Sequence, residues 1–295
     1  MRDDILIREA RIRDAHHIKR LWQRVFNDTD EVIGAFFEVY IDVRLCVLAQ
    51  IGGRLAGLGL LLPVGDFVAP AARNFNSPTA PDLNAPPSAT QCAMLYALAT
   101  EPEFRGLGCA SLITRELLRV GKKHGFGVVV LRPASDALFD FYGKNGFCET
   151  FYCREYTVKA SELKKTAQNA PGIALTRASP EEYLARRELL LRGVAHIAFD
   201  RRALAFQARL SPGGGLFFAG DGCAAVETAG QPGGRVLISE LLGADEGAII
   251  AAVADAFPAN EYLVRAPARE AEYEITRFGM SSAETAGAYM GFTFG

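Results

Sequence analysis

The stretch that decides the fold reads Leu98-Ala99-Thr100-Glu101-Pro102-Glu103-Phe104-Arg105-Gly106-Leu107-Gly108-Cys109-Ala110. Upstream of it, Cys92 to Ala99 is apolar enough for a buried strand. Downstream, Ala110, Ile113, Leu117 and Val120 keep helical spacing, and Lys122-Lys123-His124-Gly125 supply a basic last turn and a stop. A strand, a glycine-bearing loop and a helix in that order make an anion cradle. Gly106 and Gly108 remove side chains that would block close approach, so consecutive backbone N–H groups can face a pyrophosphate. The helix N-terminus adds partial positive charge and Arg105 a full one. A Gly-Lys-Ser/Thr run is absent, which disfavours a P-loop. The glycines also lie far from the first strand–helix unit, where a dinucleotide-binding fold would need them. Two glycines alone can equally make nothing more than a tight turn.

The flanking segments supply context. Ile5-Leu6-Ile7-Arg8 alternates and reads as a strand, and Asp14 is placed to cap a helix with the stripe Ile18, Leu21, Trp22 and Val25. A second helix fits Asp30 to Ile41. Leu45–Gln50 and Leu55–Leu62, joined at Gly52-Gly53, read as a hairpin. Ala69 to Gln91 holds most of this half's prolines and reads as a long loop. After the glycine loop and its helix come a strand at Gly127–Leu131, a helix at Ser135–Asn145 and an extended pair through Cys148 to Lys159.

Ser161 to Gly172 is polar, ends in Pro-Gly and reads as a linker. Beyond it the order of elements repeats. Ile173–Ala178 echoes the first strand, Glu181–Gly193 the first helix, and Leu216–Val226 the hairpin with its turn at Gly220-Asp221-Gly222. Val236–Leu242, a helix at Ala248–Phe257 and Tyr262–Pro267 come next, and Arg277-Phe278-Gly279-Met280 echoes Lys144–Phe147. The expected class is α+β in α/β/α layers. Two tandem domains, 1–160 and 172–295 with a linker at 161–171, would each form a mixed twisted sheet flanked by helices.

Composition bounds the function. At 295 residues, with 49% hydrophobic and 22% charged residues, the chain suits two soluble globular domains with real cores. The acidic start Asp3-Asp4 and the lack of a long apolar run predict a cytoplasmic protein with no membrane segment. The six cysteines lack metal-ligand spacing, so they read as reduced core residues and no metal is expected. A net charge of −2 without a basic stripe argues against nucleic acid.

One strand and one helix past the glycine loop stands Phe141-Tyr142-Gly143-Lys144-Asn145-Gly146-Phe147. Taken with Leu98–Arg105 and the spacing Arg105, Gly108, Ala110, this run resembles the GCN5-related N-acetyltransferase (GNAT) superfamily, whose domains share the acyl-CoA N-acyltransferase-like fold. The resemblance implies a sheet that splays open beside its fourth strand, with acetyl-CoA as cosubstrate and no metal. It implies that the backbone of Leu98, Ala99 and Thr100 holds pantetheine and polarises the thioester carbonyl. It places the pyrophosphate on Arg105, Gly106, Leu107, Gly108, Cys109 and Ala110, and puts Ser135 where the family commonly has an asparagine. Tyr142 would be the general acid that protonates the departing thiolate; read from the residues alone, it can equally be an amphipathic packing residue.

The expected reaction is transfer of acetyl to a primary amine of a small molecule or peptide, by direct attack in a ternary complex. The alternatives are a non-catalytic acyl-CoA-binding regulatory module and an acyltransferase for another acyl-CoA. Homo-oligomer formation is left open. The amine must lose a proton, and His16, His17, Glu31, Tyr96 and Glu149 are candidate bases with nothing to choose among them. The second half has Leu242-Gly243-Ala244-Asp245-Glu246-Gly247 in place of the glycine loop, and its two carboxylates would repel a phosphate. Its nearest tyrosine, Tyr273, is offset. One competent and one degenerate copy resembles the enhanced-intracellular-survival type of acetyltransferase, in which a chain-terminal carboxylate is the base. That suggests the carboxylate of Gly295 as a further candidate.

Overall fold

A computed structural model describes residues 5–40, 42–69, 88–166, 173–210, 213–228, 234–268, 275–283 and 287–294. In chain order the first half comprises β1 (Ile5–Glu9), α1 (Ala15–Phe26), α2 (Asp30–Tyr40), β2 (Cys46–Ile51), β3 (Arg54–Ala69) and β4 (Ser88–Thr100). It continues with α3 (Cys109–Lys123), β5 (Val128–Leu131), α4 (Asp136–Gly143) and β6 (Cys148–Lys159). The second half comprises α5 (Ala160–Thr166), β7 (Leu175–Arg177), α6 (Pro180–Leu190), β8 (His196–Phe199), α7 (Arg201–Leu210) and β9 (Gly215–Ala219). It closes with β10 (Gly222–Thr228), β11 (Arg235–Leu242), α8 (Glu246–Ala256), β12 (Glu261–Pro267) and β13 (Ile275–Ser281). The class is α+β, with mixed sheet flanked by helices.

The chain divides into two compact units that interleave in sequence. The first takes Met1–Gly65, Thr90–Thr150 and Gly279–Thr285; the second takes Asp66–Ala89, Phe151–Phe278 and Ala286–Gly295. The expected contiguous split at 160/172 is therefore not the one adopted, and Ala160–Thr166 inside the expected linker is helical. The reason lies in strand pairing. The β5 edge is taken by Met280 and Ser281 of β13, antiparallel, while β12 pairs with Cys153–Lys159 of β6.

In the first unit, β1 runs antiparallel to β2, from Ile5↔Ile51 to Glu9↔Val47. β2 and β3 form the expected hairpin, with Gly52 and Gly53 at φ 56° and 77°, the left-handed pair that a tight two-residue turn demands. β3 neighbours β4, and α3 is the crossover between the parallel strands β4 and β5. Ile113, Leu117 and Val120 of α3 bury against Val47, Ala49, Ala56, Leu61, Ala93 and Leu95. Gly57 lets the helix come this close: a Cβ there would lie 2.8 Å from the Ala99 carbonyl oxygen and 3.0 Å from Ile113 Cδ1. Asp14, expected as a helix cap, has no capping bond to α1. Its carboxylate accepts two bonds from Arg8 (2.7 and 2.9 Å) and one from the Arg11 N–H (2.7 Å).

The second unit keeps the same plan: β9 and β10 form a hairpin, β10 pairs with β11, and α8 crosses to the parallel strand β12. The sequence reading did not anticipate β8 or α7. Residues 277–280 lie in β13, not in a helix-ending turn like that at 144–147. The core contains a charge. Arg187 of α6 is fully buried, and its Nε donates to both oxygens of buried Glu240 (3.1 and 3.0 Å). Its NH1 donates to the Ile197 carbonyl (2.7 Å), and the Tyr183 hydroxyl donates to Glu240 (3.0 Å). Ala69 ends β3 and Ser88–Gln91 belong to β4, so the expected 69–91 loop shrinks from both sides, and 70–87 lie outside the described residues. Ile41, Tyr273 and Gly295 also fall outside them.

Candidate functional site

The site begins where β4 loses its neighbour. The parallel register runs Cys92↔Val128, Ala93↔Val129, Met94↔Val130 and stops, because β5 ends at Leu131 while β4 continues to Thr100. Three residues past the last pair, Ala97 sits at φ 48°. An L-residue in that region costs about 1 kcal/mol, and the strand continues past it to Thr100. The residues beyond it are Leu98, Ala99 and Thr100, with Ala99 buried and its neighbours half-buried. The Glu101 N–H donates to the Ala56 carbonyl (2.9 Å), holding the end of β4 to β3.

A 3-10 turn at Pro102–Phe104 then leads into the glycine loop. Gly106 and Gly108 stand at φ 80° and 91°, and a Cβ on either would meet no atom within 4 Å. Conformation, not space, requires glycine at both. Gly108 is the N-cap of α3 and supplies no side-chain cap, and the first turn has no acidic residue. The first helical bond into this end is Leu112 N–H to Gly108 O (3.1 Å). The N–H groups of Cys109, Ala110 and Ser111 therefore precede the helical ladder and are left for another acceptor. Arg105 is exposed, and its Nε lies 3.4 Å from the Thr100 carbonyl, over the end of β4. Leu107 is half-buried. Cys109 is buried and its thiol pushed up by burial, so it belongs to the core and is no nucleophile.

The second motif forms α4 and its exit. Ser135 is the exposed, extended N-cap residue (φ −156°, ψ 161°), with no side-chain bond to the helix. Tyr142 is only 7% exposed and meets Phe141 and Phe147 edge-on at 5.0 and 5.9 Å. Burial pushes its phenol up to about 12, so it holds its proton at neutral pH. Its carbonyl accepts from the Asn145 and Phe147 N–H groups (2.9 and 3.2 Å), while Asn145 Nδ2 donates to the Phe141 carbonyl (2.8 Å). Gly146 turns at φ 92°. Tyr142, Cys109 and Leu95 share one buried cluster, with Leu98, Leu138 and Phe141 packed against it. The two motifs, more than thirty residues apart, thus meet on one core.

Residues 11–147 match the profile of the acetyltransferase (GNAT) family. The chain carries a GNAT domain. Solved structures extend the likeness to the whole fold. A GCN5-related N-acetyltransferase from Kribbella flavida aligns over 94% of this chain and 70% of its own, at a TM-score of 0.66 and 14% identity. Eis1 from Mycobacterium abscessus aligns over 94% and 73%, at 0.61 and 13%. A putative acetyltransferase from Pyrococcus horikoshii aligns over 99% and 94%, at 0.57 and 15%. No curated protein matches the sequence.

Within the GNAT domain, two features escaped the sequence reading. Ala97 carried no signal, since alanine has no preference for a left-handed position. Glu101 is buried, and its carboxylate takes a 2.6 Å bond from Arg24 of α1; the pairing of residues 77 apart has no local signature. Among the candidate bases, His16 and His17 are exposed and meet each other edge-on at 5.7 Å, and Glu31 and Glu149 are exposed. Tyr96 packs on Trp22 and Phe36 (5.6 and 5.8 Å), and burial raises its phenol well above the usual range, which disqualifies it as a base at neutral pH.

Proposed function

We propose that the GNAT domain transfers an acetyl group from acetyl-CoA to a primary amine by direct attack in a ternary complex. The observation that carries this reading is the start of α3: a left-handed Gly108, three N–H groups ahead of the ladder and no first-turn carboxylate. Such an end suits a pyrophosphate, and Arg105 adds a full charge beside it. The cosubstrate supplies acetyl as a thioester. Gly106 to Ala110 would hold its phosphates, the exposed N-cap Ser135 would face the coenzyme arm, and the backbone of Leu98–Thr100 would polarise the thioester carbonyl. Tyr142 would give its proton to the sulfur as the C–S bond breaks, while the deprotonated amine forms the new C–N bond. A phenol near 12 is protonated throughout the neutral range, as a general acid must be.

The second unit supports a single site per chain. Asp245 Oδ1 accepts the Ala248 N–H (3.0 Å), so the start of α8 is capped by its own carboxylate. Glu246 is engaged by Arg154 and by the Tyr156 hydroxyl (2.8 Å). A phosphate there would meet negative charge where α3 offers N–H groups. We read this unit as a degenerate copy. The six cysteines, five of them buried, suit a reducing compartment such as the cytoplasm.

The test is release of free thiol from acetyl-CoA across a panel of polyamines, aminoglycosides, amino acids and peptides, and then Tyr142→Phe on the best acceptor. The variant should lower kcat by about 10²-fold or more and leave acetyl-CoA affinity unchanged. Coenzyme binding without turnover on any amine would favour the regulatory-module reading instead. An unchanged kcat in Tyr142→Phe would remove the acid role.

A further inference from the structure

One cavity of the first unit lies away from the glycine loop. It measures about 370 Å³ and lies over β1, β2 and the start of β3, beneath α1. That is the size range of small-molecule sites, roughly 300–1,000 Å³. Alternation along β2 fixes which face it occupies. Val47 and Ala49 point into the core under α3, whereas Leu48 and Gln50 line the cavity, and Arg8 sits directly across from Leu48. The cavity is therefore on the face opposite the helix whose N-terminus carries the glycine loop.

Its lining is cationic. Arg8, Arg20, Arg24 and Arg54 converge on it against only two lining carboxylates, Asp14 and Glu101. Spacing explains the convergence, since Arg20 and Arg24 lie four apart on one face of α1. Arg8 is locked to Asp14, Arg24 to Glu101, and Arg54 bridges to Glu103 while lying over the Phe104 ring (5.3 Å). Arg20 is exposed and has no carboxylate partner among the described residues. The unpaired charge of Arg20 in this concavity favours a counter-anion, and the neighbouring paired guanidiniums add to the positive field there. Guanidinium forks match phosphate oxygens in pairs, and with Arg8, Arg24 and Arg54 each paired to a carboxylate the uncompensated charge is that of Arg20.

We infer that this cavity is a second ligand site, taking a small molecule that bears a phosphomonoester, on the sheet face opposite the acetyl-CoA loop. Arg20 would be its free anchor, with the remaining N–H groups of Arg24 and Arg54 sharing the phosphate while both stay paired to their carboxylates. The cavity would fill whether or not the glycine loop serves acetyl transfer.

Calorimetric titration of the full chain with inorganic phosphate, in chloride buffer at low ionic strength, tests it. The titration is made on Gly108→Glu, so that the glycine loop cannot contribute. Phosphate should bind Gly108→Glu, and adding Arg20→Glu should raise Kd by about tenfold or more; Arg20→Ala should fall between. Circular dichroism of each variant guards against misfolding, which an exposed α1 position should not cause. Loss of phosphate binding in Gly108→Glu, indifference to Arg20→Glu, or acetate binding as tightly as phosphate would each overturn the proposal.

Discussion

Tyr142 combines two demands on one side chain. In the proposed reaction it must be buried enough to stay protonated and yet reach the reacting sulfur, and the C-terminal turn of α4 fixes its backbone with three neighbouring bonds. Because its phenol lies near 12, kcat should show no alkaline fall attributable to this acid between about pH 7 and 10. A stopped-assay pH profile checks this; a limb near pH 8 that vanishes in Tyr142→Phe would mean the phenol titrates far lower. Asp14 shows the opposite shift. Its bonds to Arg8 hold its carboxyl down to about 2, below the usual carboxylate value near 4. Its contribution to stability is thus present above about pH 4 and lost as pH falls through about 2. Asp14→Asn should flatten the stability profile in that window, as read by urea unfolding at each pH. Gly108 was legible in the sequence and Asp14's role was not. A left-handed turn built on glycine advertises itself, as left-handed Ala97 does not, whereas an acidic residue before a helix looks like a cap whatever it bonds.

Two helices that each link the strands of a parallel pair differ at a single end. α3 starts with Gly108 and leaves its first N–H groups unclaimed; α8 starts with Asp245, whose carboxylate claims one of them. Local chemistry of this kind is readable, which is why the motif, the hairpin and both crossover helices could be anticipated. Packing distances are not. Nothing in the sequence marks Gly57 as more than a strand glycine, yet its missing Cβ lets β3 lie against the Ala99 carbonyl and the Ile113 side chain. Gly57→Ala should destabilise the protein by about 1–3 kcal/mol, measured as a lower urea midpoint with an unchanged slope. Arg187 escaped notice for a related reason. In Pro180–Leu190 it stands among glutamates and another arginine, as if on a solvated helix, but tertiary contacts bury it completely. Arg187→Met leaves Glu240 without its cation and should cost about 3–5 kcal/mol. A midpoint within error of the parent would show that Glu240 is satisfied without it.

Each compact unit carries a hairpin and a crossover helix between parallel strands, and the two units interleave in sequence. Repetition of element order was visible in the sequence because each copy keeps the same hydrophobic period and turn residues. The exchange that places Met280–Ser281 on β5 and Cys153–Lys159 on β12 was not, because an apolar strand carries no label for the edge it will join. Among the described residues no helix is long and apolar enough to cross a membrane. One plan with one uncapped crossover helix predicts one coenzyme site per chain. Calorimetric titration of acetyl-CoA into the parent chain and into Gly108→Glu decides the matter. One molecule should bind per parent chain and none per variant chain, with the variant's circular dichroism unchanged. Binding that persists in folded Gly108→Glu, or two molecules per parent chain, would contradict a single site at the start of α3.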